Sequence, residues 1–141
     1  MNKEVIISIE GQEMFPDLGE ENVTELVTEG KYYKKGDKHY ISYKETEVTG
    51  FEVTTTLLKI ENNRVALTRS GQVNTHMVFV PGEKHTGYYD TPYGSFTVGI
   101  VSDAVKVEFG QKSGQIDIHY LLEIDNNTKA EHKLSLNVRE A

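Results

Sequence analysis

Apolar and polar residues alternate along most of this chain, and this period of two constrains its fold more than any other feature. In the longest example, residues 115–125, every second residue is aliphatic or aromatic. The same alternation recurs at 65–67, 77–79, 96–100, 105–109 and 134–138. A strand with one face on a core and the other in water has this pattern, because successive side chains point to opposite faces. No segment shows sustained helical periodicity, so the chain is predicted to be all-β.

Turn residues separate these segments at regular intervals. Asn62-Asn63 is typical of a tight hairpin, since Asn tolerates a positive φ. Further turns are predicted at Gly36-Asp37, Ser70-Gly71, Thr91-Pro92-Tyr93-Gly94, Ser113-Gly114 and Asn126-Asn127. Short links favour antiparallel pairing of consecutive strands, and eight to ten such strands would curl into a closed up-and-down barrel without exposed edges. The 141 residues fit a single domain, residues 1–141.

Two segments depart from the alternation. Residues 13–25 contain a proline, a glycine and several acidic residues, and at most one short helix is predicted there. In residues 51–60 the apolar positions are odd up to Leu57 and even from Leu58. A β-bulge near Leu57 and Leu58 would explain this change, since barrels use bulges to bend strands. A strand covered on both faces is the alternative.

The composition excludes several classes of protein. The chain has no cysteine, which excludes a disulfide framework, thiol catalysis and cysteine-bound zinc and suits a reducing compartment. Its N-terminal apolar run is too short for a signal peptide, and no run approaches the ~18 apolar residues of a membrane span. We therefore expect a cytoplasmic protein with no membrane partner.

The charge argues against a nucleic-acid partner. The formal net charge of -7 repels phosphate backbones unless a local basic stripe overrides it. The densest basic run is residues 31–35 (KYYKK), with Lys38 nearby. Its tyrosines could stack on bases. We prefer a hairpin whose exposed lysines discourage pairing with other strand edges, because several lysines around one turn are common on protein surfaces.

The sequence predicts no catalytic centre, metal site or cofactor. None of the five histidines stands at a spacing typical of metal ligands: His39, His76, His85, His119 and His132. We expect His39, His119 and His132 to face outward. The chain also lacks a nucleophile elbow, a phosphate loop and a dinucleotide fingerprint.

Glu45 and Arg69 form the sharpest candidate constellation. Glu45 shares inward parity with Tyr43, and Arg69 shares it with Leu67. Charges in a protein interior are rare and need partners. Three interpretations remain open: the two residues pair and lock one end of the barrel, Arg69 binds a ligand carboxylate or phosphate, or both are exposed at a strand end.

Tyrosines are the other prominent feature. Tyr88, Tyr89 and Tyr93 surround one turn, and several more lie near residues 32–43. Tyrosines at a barrel mouth could hold a planar ligand or a protein partner. The alternative, which we favour because buried aromatics usually serve packing, is that the rings fill the barrel end as core. The predicted ligand-binding residues are Arg69, Glu45, Tyr43, Tyr89 and Tyr93.

Five short runs occur in an order and spacing that resemble a known family. They are residues 40–45, 55–61, 69–71, 89–94 and 116–124. Together they resemble the YwiB-like family of small bacterial proteins, uncharacterised domains with a calycin-type (lipocalin-like) β-barrel. The resemblance extends from about Ile6 to Val138. It implies an up-and-down barrel and supplies neither an activity nor catalytic residues.

The preferred functional hypothesis is a non-enzymatic binding protein for a small, partly apolar or carboxylate ligand. A small barrel is just wide enough for side chains or one such ligand. The alternative is a filled barrel that binds a protein partner through a tyrosine-rich rim. An enzyme built on inward polar residues is less favoured. An interior cavity of several hundred Å³ would favour the first hypothesis over the second.

Overall fold

The computed structural model describes residues 2–15, 19–45, 54–124 and 128–141, and its strands form one closed antiparallel barrel. Strands that follow each other in the chain pair, and β1 pairs with β10 to close the barrel. The strands are β1 Asn2–Phe15, β2 Glu20–Lys35, β3 Lys38–Lys44, β4 Thr54–Glu61, β5 Arg64–Gly71, β6 Asn74–Phe79, β7 Lys84–Thr91, β8 Gly94–Phe109, β9 Ser113–Ile124 and β10 Thr128–Glu140. The predicted all-β up-and-down barrel is confirmed. None of the described residues forms a helix that could cross a membrane.

The core lies inside the barrel and is built from alternate residues of each strand. In β4, for example, Thr54, Thr56, Leu58 and Ile60 are buried and the residues between them are more exposed. The largest fully buried side chains are Phe79, Ile7, Ile41, Leu58, Ile60, Leu67, Met77, Ile100, Ile116, Leu136, Val65 and Val98. Each such side chain contributes roughly 1.5–3 kcal/mol on burial, so this core is the main source of stability.

The turns divide the barrel into two ends. We call the end at which β1, β3, β5, β7 and β9 finish the upper end, and the opposite end the lower end. At the lower end, Asn62 has a φ of 49° in the tight turn between β4 and β5, as predicted for that hairpin. The predicted turn at Ser113-Gly114 is wrong, because these two residues begin β9. The connection between β8 and β9 lies at residues 110–112. Asn126-Asn127 lies outside the described residues.

The predicted short helix in residues 13–25 is wrong. Both flanks of this segment are strand, because β1 runs to Phe15 and β2 begins at Glu20, and the two pair as one hairpin. Gly19 has a φ of 65°, a left-handed conformation that reverses the chain and does not continue a right-handed helix. The acidic residues of β2 obscured its alternation, and pairing with β1 decides its structure.

The predicted bulge in β4 is also wrong. This strand pairs in unbroken register with β3 and β5, so Leu57 faces outward and Leu58 inward. An apolar residue on the outward face therefore produced the apparent change of parity, and residues 51–53 lie outside the described ranges. A register shift occurs instead in β8, between Ser102 and Ala104.

Candidate functional site

A row of polar side chains crosses the barrel interior near the upper end. Tyr43 of β3 lies opposite Thr56 of β4, which lies opposite Arg69 of β5. Arg69 in turn lies opposite Thr75 of β6, and Thr75 lies opposite Tyr89 of β7. Residues directly opposite each other on one face of a sheet have Cβ atoms about 4.5–5.5 Å apart. Strand register alone therefore brings these five polar residues into one continuous row.

Glu45 is a buried carboxylate surrounded by donors. Only 2% of its side chain is exposed, and its Oε1 lies 3.6 Å from Nε of Arg69. The hydroxyl of Thr56 donates a 2.6 Å hydrogen bond to the same oxygen. Tyr43 is also hydrogen-bonded to Glu45. A buried carboxylate is unfavourable unless it is paired and hydrogen-bonded, and these neighbours meet that need. The structure thus contains the predicted Glu45–Arg69 pair, and it rules out exposure at a strand end.

Arg69 places a positive charge inside the barrel. Its side chain is 13% exposed. Burial alone lowers the pKa of Arg69, but the nearby Tyr89 and Glu45 oppose this effect and the net pKa is raised. Tyr89 is itself buried, which raises its pKa, and its hydroxyl is hydrogen-bonded to Arg69. The guanidinium is therefore charged at any physiological pH.

His132 of β10 joins the same interior region, together with Tyr120 of β9. Their rings stack with centroids 4.9 Å apart and planes inclined by 9°. Burial lowers the pKa of His132 to about 4, so the imidazole is neutral near pH 7. Its Nε2 atom is buried and makes no hydrogen bond with any described residue. The prediction that His132 faces outward is wrong. Its even position, shared with Leu134 and Leu136, was the signal that would have placed it inward.

These side chains border a cavity of about 120 Å³ at the upper end. The polar lining includes Gln12, Thr24, Tyr43, Glu45, Arg69 and His132, and the apolar lining comes from Ile9, Leu26, Leu67 and Leu134. The exposed residues Glu13 and Lys133 also line the cavity, which therefore reaches the surface. Its volume is below the ~300–1,000 Å³ of pockets for drug-sized ligands. The barrel interior is thus packed along most of its length and partly open at one end.

Four of the five predicted site residues meet at the upper end. Tyr43, Glu45 and Arg69 line the cavity, and Tyr89 is bonded to Arg69. Tyr93 does not join them, because it lies in the turn between β7 and β8 with 96% of its surface exposed. Thr56 and Thr75 were not predicted as site residues, because only charged and aromatic side chains stood out in the sequence. Their inward parity was nevertheless visible in the sequence.

The lower end carries an aromatic cluster in place of a charged pair. The rings of His39 and Phe109 lie parallel with centroids 4.1 Å apart, and Tyr32 stacks on Phe109 at 5.8 Å. The hydroxyl of Tyr32 is 2.6 Å from Nδ1 of His39. His39 therefore faces inward, like Ile41 on the same strand, and the outward prediction is wrong for this residue too. The three rings pack across the lower end of the barrel.

His119 faces outward, as predicted. Its Nδ1 lies 3.0 Å from Oδ2 of Asp103, and its Nε2 lies 2.5 Å from Oε1 of Glu131. Polar contacts of this kind at the surface contribute little to stability. Among the described residues, no group of three or more histidine, aspartate and glutamate side chains could hold a metal ion.

Comparison with known proteins assigns the chain to a family. The model of the family "Domain of unknown function (DUF1934)" matches residues 7–136. The chain belongs to the DUF1934 family. This DUF1934 protein is 26% identical to the uncharacterized beta-barrel protein YwiB of Bacillus subtilis (strain 168) over 136 residues, which cover 96% of this chain and 94% of that protein. The predicted YwiB-like resemblance is therefore confirmed.

A solved structure shows that the DUF1934 fold seen here is shared. The crystal structure of the ywiB protein from Bacillus subtilis matches with a TM-score of 0.88. The match covers 99% of this chain and 93% of that one, at 21% sequence identity. At this identity the match establishes the fold, and the function has to be argued from the site itself.

Proposed function

We propose that the protein is a non-enzymatic binding protein that takes one small, partly apolar ligand into the cavity at its upper end. The observation that carries this proposal is the buried, charged Arg69 on the wall of a cavity that opens to the surface. A guanidinium presents several N–H donors in a fixed plane, which suits a carboxylate or a similar acceptor group. A cytoplasmic location is part of the proposal, since a chain without cysteine suits a reducing compartment.

The size and lining of the cavity define the ligand. Apolar cavities of about 150 Å³ take up molecules the size of benzene, so a cavity of about 120 Å³ suits a small ring or a short alkyl chain. Leu26, Leu67 and Leu134 would contact this apolar part. The polar group would reach Arg69, and Nε2 of the neutral His132 offers a further hydrogen bond. A longer ligand would leave its remainder at the surface.

The rival hypothesis of a filled barrel with a tyrosine-rich rim has less support. Tyr89 points inward to Arg69, so only Tyr88 and Tyr93 of that cluster are exposed. They do not form one aromatic surface, because Tyr88 stacks beside His76 on the barrel wall and Tyr93 lies in a turn. No contact among the described residues favours a protein partner at this rim over a small ligand in the cavity.

Three small molecules test the proposal: benzoate, hexanoate and benzyl alcohol, each measured by isothermal titration calorimetry. We expect benzoate or hexanoate to bind with one-to-one stoichiometry and to raise the melting temperature by mass action. Benzyl alcohol has the ring without the carboxylate and should bind at least about tenfold more weakly, since charged hydrogen bonds are the strong ones.

Two variants assign the binding to the cavity. The double variant Glu45→Gln/Arg69→Met avoids leaving a buried charge unpaired, and it should abolish carboxylate binding. Arg64→Met, on the outer face of the same strand, is the matched control and should bind as the wild type does. Saturable binding that survives the double variant would place the ligand elsewhere. If no probe binds the wild-type protein, the proposed function is wrong for this class of ligand.

A further inference from the structure

The outer surface formed by the last residues of β2 (31–35) and by β3, β4 and β5 concentrates positive charge. Residues 31–44 and 54–68 contain seven of the fifteen basic residues of the chain and only two of its twenty-two acidic residues. The outward-facing cations are Lys31, Lys35, Lys38, Lys44, Lys59 and Arg64, which we call the basic face. Glu61 is the one acidic side chain on the outward positions of residues 31–35 and of β3, β4 and β5 within the described ranges, whereas the first part of β2 carries Glu21, Glu25 and Glu29 on its outward face. The net charge of -7 therefore conceals a strong segregation of charge.

The cations of the basic face form no close ion pair with the described residues, and the acidic Glu61 lies opposite Lys38 and Arg64. The ion pairs found among the described residues involve Lys3, Lys84, Arg69 and two histidines, and none includes a residue of the basic face. Lys35 and Lys38 lie directly opposite each other on β2 and β3. Like charges in that position are destabilising. The repulsion between these two lysines lowers stability on its own, and a polyanion that covers them would turn it into a favourable interaction.

Two tyrosines lie among these cations. Tyr33 and Tyr40 face outward on β2 and β3, and their rings stack with centroids 4.5 Å apart and planes inclined by 8°. Tyr33 is 38% exposed, so its ring is accessible from outside. Lys59 lies opposite Tyr40 on the next strand. An accessible aromatic ring between rows of cations is the combination with which proteins bind single-stranded nucleic acid.

We propose that the basic face binds single-stranded nucleic acid, with backbone phosphates on Lys35, Lys38 and Lys59 and a base stacked on Tyr33. The exposed ring favours this partner over an acidic protein, because every base offers a planar face for stacking. A duplex is less suitable, since its bases are stacked on one another and leave no free face for the ring of Tyr33. The absence of a nucleic-acid partner was predicted from net charge and from the interpretation of the lysines near residues 31–38 as ordinary surface, and strand pairing adds Lys59 and Arg64 to the same face. The proposal is independent of the cavity, because Arg69 faces inward.

Fluorescence anisotropy with labelled oligo(dT) and oligo(U) of about 12 nucleotides tests the proposal. We expect saturable binding that weakens steeply between about 50 and 200 mM salt, because bound cations release counterions from the strand. Lys35→Glu/Lys59→Glu should lower the affinity at least about tenfold at the lower salt concentration. The matched control is Lys106→Glu/Lys112→Glu, which makes the same change of charge away from the basic face and should alter the affinity less than about threefold.

A second substitution separates stacking from charge. Tyr33→Leu should lower the affinity about five- to tenfold without changing its salt dependence, since it removes a ring and no charge. The melting temperature of each variant establishes that it folds. If a variant with Lys59→Glu does not fold, Lys31→Glu takes its place in the pair. The proposal is wrong if the wild type does not bind at low salt, or if the control pair weakens binding as much as the face pair. It is also wrong if poly-L-glutamate binds equally well and Tyr33→Leu has no effect, because the partner would then be an acidic protein.

Discussion

The upper and lower ends of the barrel are built from the same strands but filled with opposite chemistry. At the lower end, Tyr32, His39 and Phe109 stack across the interior and bury apolar surface. At the upper end, Glu45 and Arg69 place two charges inside the barrel beside a cavity of about 120 Å³. Buried ion pairs are often no more stable than apolar side chains of the same volume. Stability alone therefore accounts for the lower end, and the proposed ligand binding supplies a reason for the charged pair at the upper end.

The largest expected difference between the two ends is in how much their ion pairs contribute to the free energy of unfolding. Glu45→Gln or Arg69→Met alone should lower the free energy of unfolding by about 3–5 kcal/mol, because each leaves the other charge buried without its partner. The double variant should cost much less than the sum of the two. A double-mutant cycle measured by urea unfolding gives this coupling.

The matched pair at the lower end is Lys3 and Glu140, which lie 2.7 Å apart with 29% and 40% of their side chains exposed. Lys3→Met and Glu140→Gln should each lower the free energy of unfolding far less than the single changes at Glu45 and Arg69, since water screens the charges. Additive effects in the Glu45–Arg69 cycle would show that these two side chains are not partners. The contrast between the ends would then lose its main support.

A smaller difference is expected in how the two inward histidines, His132 and His39, make the free energy of unfolding depend on pH. Burial lowers the pKa of His132 from 6.5 to about 4, so the unfolded chain takes up a proton at a higher pH than the folded protein does. The contribution of neutral His132 to the free energy of unfolding is complete above about pH 6.5. As the pH falls to about 4, the free energy of unfolding decreases by up to about 3 kcal/mol. His132→Gln should remove this part of the pH dependence.

Urea unfolding at several pH values between about 4 and 7 gives the comparison with the lower end. Burial also lowers the pKa of His39. This residue lies in a cluster bordered by solvent, so His39→Gln should flatten the pH dependence of the free energy of unfolding less than His132→Gln does. Equal pH profiles for the wild type and His132→Gln would mean that His132 is not held neutral inside the barrel.

The smallest effects are expected for apolar truncations at the two ends. Phe109→Ala removes a ring from a partly exposed stack and should lower the free energy of unfolding by about 2 kcal/mol. Benzoate binding should not change, because Phe109 is far from the upper cavity. Leu134→Ala should cost about 1–2 kcal/mol and enlarge the cavity, so it should shift the preference towards longer carboxylates. Altered benzoate affinity in Phe109→Ala would show that the ends are coupled.

Most of the fold was predictable because its determinants are local. Alternation identified most of the inward residues of β5, β6, β9 and β10, and turn residues located several of the hairpins. The errors arose where a non-local contact decided the outcome. Residues 20–25 contain several acids, yet they form a strand because β1 pairs with them. Leu57 is apolar but faces outward, which no single-strand pattern reveals.

The site was predictable only in part, for a similar reason. Parity identified Glu45 and Arg69 as inward, and the same rule applied to His132 would have added it. The cavity itself was not predictable, because its volume depends on how side chains from five strands fill the space between them. Part of the basic face was visible in the sequence as the run at residues 31–35, but its continuation through Lys59 and Arg64 depends on strand pairing and was not predictable from a single segment.

The pairing of β1 with β10 has a consequence for how the chain is made. Every other pairing joins consecutive strands, so each hairpin can form soon after its second strand leaves the ribosome. The outer edge of β1 has no partner until residues 131–140 have been synthesised, because they supply its whole register. Unpaired strand edges are sites of aggregation during folding. The first strand to emerge is thus the last to be protected, and nascent chains that lack β10 should depend most on chaperones.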